Sequence, residues 1–273
     1  MGTFFGESDK KLIAKFLRGK ISREELAFQL VPILTLEIIR KYLRIETEGI
    51  ENIPTDRSSI IISNHSGYAG FDALMLMNEI RRKTKIQPRT VAHKLWFLGK
   101  PVRVISEKMG LVEADMNHCL EILRNPDPLI LFPEGEAGNF KPSNRRYRLQ
   151  EFKRGFARLS ILTNSPIIPA MVIGAEETHI NLSQIKFTKY LFGSVIPVPL
   201  NVIPLPVKWK IKFLPAWHPE GLKAVDAMNR EKVFDITRKM RHLLQKAIIQ
   251  ELRTRKASDF GNIKFSDDDE PGL

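Results

Sequence analysis

From residue 42 onward, short apolar runs suited to strands alternate with longer runs whose apolar residues recur at helical spacing. The strand-like runs are YLRIETEGI, SSIIISN, RTVAH, PLILFPE, SPIIPAMVIG and KWKIKFLP, and helical patterns cover residues 72–83, 116–124, 152–163 and 226–256. Such alternation predicts one α/β sandwich, with a mostly parallel sheet flanked by helices. A chain of 273 residues can bury one large core, and no internal repeat divides it.

Ahead of this pattern, residues 8–19 read as a short helix with Leu12, Ile13, Phe16 and Leu17 on one side and Lys10, Lys11, Lys15 and Arg18 around the other. A basic amphipathic helix either lies on a membrane surface or packs on its own domain. A second helix starts at Ser22, which forms a capping box with Glu25, and its apolar stretch over residues 27–36 is interrupted by Pro32. That stretch is about half of the ~20 residues needed to span a bilayer. Residues 190–207 carry no charge, but prolines at 197, 199, 204 and 206 forbid a continuous helix, so the segment is either a packed loop or a lipid-facing surface. The expected organisation is amphipathic helices for membrane association over residues 1–41, the α/β domain over 42–257, and a disordered acidic tail over 258–273.

With 43 Lys and Arg against 31 Asp and Glu, the chain carries +12, which suits nucleic acid, anionic headgroups or a phosphate-bearing substrate. Nucleic acid is not expected as a partner, because only Tyr147 and Phe152 interleave the most basic stretch where stacking would need more aromatics. The single Cys119 excludes an internal disulfide, fits a reducing compartment and reads as core packing. The first residues lack the apolar core of a secretory signal, and Gly6 stands where myristoylation expects Ser or Thr, so a position on the cytosolic side is expected.

Two strand ends carry the polar residues of a site. The run IIISNHSGYAGFD breaks from an apolar strand into Asn64 and His65, then passes Gly67 and Gly70 to a helix at Asp72. In an open α/β sheet, groups just past a strand's carboxyl end face the ligand crevice. Histidine titrates near neutral pH and suits a general base, and Asp72 would fix its tautomer. A structural histidine beside a helix-capping aspartate is the other reading. The run LILFPEG delivers Glu134 and Gly135 in the same manner, either to a shared site or as a turn carboxylate paired with an arginine. Downstream, Lys141, Arg145, Arg146, Arg148, Lys153, Arg154 and Arg158 crowd one stretch, as a solvated basic face or a phosphate site. The six histidines show no spacing that suggests zinc.

The NH, the following Asp and the later FPEG together resemble the glycerophospholipid acyltransferase superfamily, whose hallmark is H-x4-D paired with FPEG. The run SPIIPAMVIGAEE is similar to its later VPI-VPV block. FPEGEAGNFKPSNRRYRLQEFKRGFARL looks like bacterial members of the NHSG-type branch, related to monoacylglycerol acyltransferases. The resemblance covers residues 42–219. It implies an acyltransferase with His65 and Asp72 as the base pair. Asn64, Glu134, Gly135, Lys141, Arg145, Arg146 and Arg148 are then the substrate-binding candidates, and backbone N–H groups near Gly135 the oxyanion donors. It also implies acyl-CoA or acyl carrier protein as co-substrate, a glycerolipid or lysophospholipid acceptor, no cofactor, and a peripheral or monotopic place on the cytoplasmic face of a membrane.

Two features depart from the pattern. His65 and Asp72 are spaced H-x6-D, so two extra residues must bulge outward if the pair is to touch. GLVEAD, at residues 110–115, lacks the Arg that relatives use for acceptor phosphate, which leaves room for a neutral or zwitterionic acceptor. A mono- or diacylglycerol acyltransferase is the alternative within enzymes, and a catalytically idle basic membrane- or RNA-binding module the alternative outside them.

Overall fold

The computed structural model describes residues 7–66, 70–139, 141–185, 196–201 and 203–255. The acidic tail and most of the uncharged stretch before residue 196 lie outside the described residues.

The chain opens with α1 (Glu7–Leu17), α2 (Arg23–Glu25) and α3 (Val31–Tyr42). The capping box is present: Glu25 N–H donates to Ser22 Oγ and Ser22 N–H to Glu25 Oε2, each at 3.0 Å. A π turn over Leu26–Leu30 precedes Pro32, relieving a helix that the missing N–H and the ring would otherwise break. Within α1, Leu12 is buried, and Asp9 pairs with Arg81 at 3.1 Å, while Phe16 and Leu17 stay exposed. No helix among the described residues is long and apolar enough to cross a membrane.

The α/β part runs β1 (Glu46–Glu48), β2 (Ser59–Ser63), α4 (Phe71–Thr84), β3 (Arg89–Ala92), α5 (Lys100–Lys108), β4 (Leu111–Glu113), α6 (Met116–Ile122), β5 (Pro128–Leu131) and α7 (Glu136–Asn139). It continues through α8 (Gly155–Thr163), β6 (Ile167–Ile173), α9 (Ala175–Thr178), β7 (Asn181–Ile185), β8 (Ile196–Pro199), β9 (Lys210–Phe213) and α10 (Arg230–Thr254). Seven strands form one sheet in the order β1-β9-β6-β2-β5-β3-β4, and β7 pairs with β8 in a separate antiparallel ribbon. All neighbours in the large sheet are parallel except β6 and β9.

The central strands are buried on both faces, as in a sheet covered by helices on each side. Alternation along β2 sends Ile60 and Ile62 to one face and Ile61 to the other. The first face packs under α8 and α10, with Phe156, Leu159, Met240, Leu244 and Ile248. The second packs under α3 and α4, with Leu43, Met75, Leu76 and Ile80 joined by Trp209.

Candidate active site

β2 ends against its neighbour β6 through Asn64, which is fully buried. Val172 N–H donates to Asn64 Oδ1 at 2.8 Å and Asn64 Nδ2 donates to Val172 O at 3.0 Å. The amide therefore prolongs the sheet and satisfies a buried backbone pair. Asn64, expected above as a substrate contact, is taken up by this clamp and is not presented to a ligand.

The next residue turns out of the sheet. His65 Nδ1 lies 2.7 Å from Asp72 Oδ2, so the wider spacing still closes the pair. Asp72 sits in the first turn of α4, fully buried. Its Oδ2 also accepts Ser66 N–H at 2.7 Å, and its Oδ1 accepts Ala73 N–H at 2.9 Å. Positive φ at Gly70 (75°) starts the helix, and the bulge expected before it lies outside the described residues. The His65 ring stacks on Phe132 at 4.3 Å between centroids. With Nδ1 engaged, Nε2 is the ring nitrogen left to exchange a proton.

β5 brings Glu134 to the same place, and Glu134 is nearly fully buried. Its Oε1 accepts His65 N–H at 3.0 Å and its Oε2 accepts Gln150 N–H at 2.7 Å. Glu134 thus braces the backbone of the histidine instead of facing solvent as an acceptor ligand. Gly138 makes room for it: a Cβ there would lie 2.5 Å from Glu134 Cβ. Gly135 adopts φ 57°, and its own N–H donates to Phe132 O at 2.9 Å within the turn, so it is not free to be one of the oxyanion donors expected near Gly135.

His65 lines a cavity of about 460 Å³ whose wall is mostly apolar, including Leu74, Val91, Leu111, Phe132, Phe156 and Leu159. Cys119 also lines it, and burial pushes its thiol up to about 11, so it acts there as a small apolar group. Among the described residues, the titratable groups in the wall besides His65 and Cys119 are His93, Asp115, Glu136 and Lys153. His93 Nε2 lies 3.1 Å from Glu136 Oε1, a pair that no motif spacing in the sequence singles out. The GLVEAD run contributes Leu111, Ala114 and Asp115 to the wall, and Asp115 caps α6 by accepting His118 N–H at 2.9 Å.

The family model described as Acyltransferase matches residues 44–173, which contain both strand ends and most of the cavity wall. An uncharacterized protein of Mycobacterium tuberculosis is 30% identical over 275 residues, covering 91% of this chain and 76% of its own length. The chain belongs to the glycerophospholipid acyltransferase superfamily. A 1-acyl-sn-glycerol-3-phosphate acyltransferase of Limnanthes douglasii is 26% identical over 59% of this chain and 53% of its own. The crystal structure of the 1-acyl-sn-glycerophosphate acyltransferase PlsC from Thermotoga maritima shares the fold. Its TM-score is 0.53 at 19% identity, over 93% of this chain and 91% of that one.

The acyltransferase separates the basic residues that run together in its sequence. Lys141 is buried between carboxylates, 3.0 Å from Glu176 Oε1 and 3.5 Å from Glu134 Oε2, and so is not the exposed phosphate ligand expected above. Burial alone would lower its pKa; Glu176 and Glu134 outweigh that and hold it above the ordinary lysine value. Arg145 and Arg148 are exposed, and Arg146 lines a separate small cavity of about 20 Å³ together with Lys141. None of these three arginines lines the His65 cavity. Lys153 does, with its side chain laid over Gly135.

Proposed function

We propose that this acyltransferase moves a fatty acyl group from acyl-CoA or acyl carrier protein to a glycerolipid or lysophospholipid hydroxyl, working peripherally on the cytoplasmic face of a membrane. The observation that carries the reading is the His65–Asp72 pair at 2.7 Å in the wall of an apolar cavity. His65 Nε2 takes the proton of the acceptor hydroxyl as its oxygen attacks the thioester carbonyl. The tetrahedral intermediate collapses, the C–S bond breaks, and the imidazolium returns the proton to the leaving thiolate. Asp72 holds the ring and stabilises the imidazolium. The acyl chain lies along the apolar wall, and the wall's polar groups fix the reacting end.

The charge of the wall favours an acceptor without a phosphomonoester. Among the described residues of the wall, one lysine, Lys153, stands against two acids, Asp115 and Glu136, so a dianionic phosphate would meet little net positive charge there. This observation supports the mono- or diacylglycerol reading beside the lysophospholipid one. The test is mass spectrometry of lipids after incubating purified protein with acyl-CoA and a panel of acceptors. His65→Ala is expected to lower turnover on the order of 10²–10⁴ while leaving the circular dichroism spectrum unchanged. Turnover by His65→Ala within about half of the wild-type rate would refute the mechanism.

A further inference from the structure

We infer that α5 and the turn before it form the face that docks on a lipid bilayer, so that the cavity opens directly into the membrane. The inference rests on the reading that the cavity takes an acyl chain, and it names the partner through which that chain arrives.

Helix α5 is exposed along almost its whole length; Ser106 is its one buried residue, and its Oγ donates to Trp96 O at 2.6 Å. A helix held by so little surface would normally be polar, yet Val102 (44% exposed), Ile105 (45%) and Met109 (40%) stand at i, i+3 and i+7 on one stripe. The turn before it adds Trp96 (40%) and Leu98 (60%). Exposed apolar residues grouped in this way mark an interaction site. The group is continuous with the cavity, because Trp96, Met109 and the exposed Met116 are also part of its wall. The apolar interior therefore reaches the surface where the apolar exterior begins.

That continuity selects the occupant. A protein seated on this face would close the cavity mouth, whereas a bilayer would deliver a hydrocarbon chain through it without passage across water. The residues at the edge agree. Trp96 has the amphipathic ring that settles at the headgroup level, and the exposed Lys94 and Lys100 bracket it, in a chain whose net charge is +12. Lys108, at the end of α5, reaches Glu24 and lies 4.4 Å above the Phe28 ring, which extends the apolar face onto the turn before α3. Arg103 is paired with Glu107 and Glu113, so the attraction is chiefly apolar and only in part electrostatic.

The test uses the full chain with phosphatidylcholine vesicles, with and without phosphatidylglycerol. The double variant Val102→Asp, Ile105→Asp changes two exposed side chains outside the cavity wall. It is expected to melt as wild type does and to lose vesicle partitioning by about tenfold or more. Phe16→Asp, Leu17→Asp on α1 is expected to lose less than about threefold. Brominated lipid should quench part of the wild-type tryptophan fluorescence, and Trp96→Phe should abolish that quenching, since Trp209 is buried and the half-buried Trp217 pairs with Ile167 at the start of β6, at the end of the sheet away from His65. Wild-type partitioning by the α5 variant, or quenching that survives Trp96→Phe, would overturn the inference. So would a wild-type dimer in sedimentation that the α5 variant dissolves, because a second copy would then cover the face. Transfer to a detergent-dispersed acceptor is read separately: its absence from wild type would count against the acyl-transfer reading and leave the docking result standing.

Discussion

Glu176→Gln should change how the stability of this protein depends on pH. Glu176 is buried on α9, with Lys141 3.0 Å from Oε1 and Tyr147 N–H donating to Oε2 at 2.7 Å. Burial raises its pKa to about 7 although Lys141 pulls downward, and the nearby Glu134 adds to the rise. A carboxyl whose native pKa lies above its ordinary 4.5 holds its proton in the fold across a window where the unfolded chain has released it. Stability from this group is therefore complete below about 4.5 and falls as pH rises to about 7. At about 1.4 kcal/mol per pH unit, the full loss is about 3 kcal/mol. Gln keeps an acceptor for Tyr147 N–H and cannot ionise. The variant should gain about 3 kcal/mol relative to wild type between pH 4.5 and pH 8, or ~6 °C or more in melting temperature. Comparing the two proteins cancels the opposite, stabilising contribution of exposed carboxylates such as Glu48, whose pKa is lowered by its hydrogen bond to Lys210. Thermal melts from pH 4.5 to pH 8 are the assay, and parallel curves for the two proteins would refute the reasoning.

Two further outcomes follow from the site. In Gly138→Ala the new methyl would stand 2.5 Å from Glu134 Cβ, so Glu134 must move and release His65 N–H; steady-state kinetics should show kcat lower by about tenfold or more, the equivalent of one charge-assisted hydrogen bond. Because Lys153 is the one lysine or arginine in the cavity wall, among the described residues, kcat/KM for lysophosphatidic acid should exceed that for monoacylglycerol or a headgroup-bearing lysophospholipid by less than about a hundredfold; a larger ratio would mean that a further cation reaches the acceptor phosphate.

The strand-like runs around residues 59–63, 89–92, 128–131, 167–173 and 210–213 are all strands, because uninterrupted apolar or β-branched residues fit a sheet covered on both faces. Strand direction does not leave such a trace, and β9 runs antiparallel to β6. The first run begins too early: residue 42 still belongs to α3, and Arg44, at φ 47°, turns the chain before β1. Strand β4 was hidden because three residues carry no usable period, and α5 because its apolar stripe faces outward. At the site, motif spacing located His65, Asp72 and Glu134 but could not reveal what occupies their atoms. Asn64 and Lys141 look like ligand contacts in one dimension. Their partners, Val172 and Glu176, lie 108 and 35 residues away, and only folding brings them within reach.

How two motifs almost seventy residues apart meet at atomic precision is answered by sheet register. β2 and β5 are parallel neighbours with Ile62 opposite Leu131. Three residues beyond those partners stand His65 and Glu134, so an unstaggered ladder delivers both to one edge, where Glu134 accepts the His65 N–H. β6 pairs with the other side of β2, Ser63 opposite Ala170, and its exit carries Gly174 and Glu176 to the same edge. Gly174 N–H donates to Tyr147 Oη, and Lys141 ties Glu176 back to Glu134, so three strand exits are joined by side chains as well as by the sheet. A one-residue slip of β5 against β2 would turn Ile130 toward the wrong core and carry Glu134 about 3.3 Å along the strand, out of reach of the His65 N–H. The same apolar packing that prevents the slip therefore holds the histidine in place, so residues past the strand ends are positioned by isoleucines that do not line the cavity.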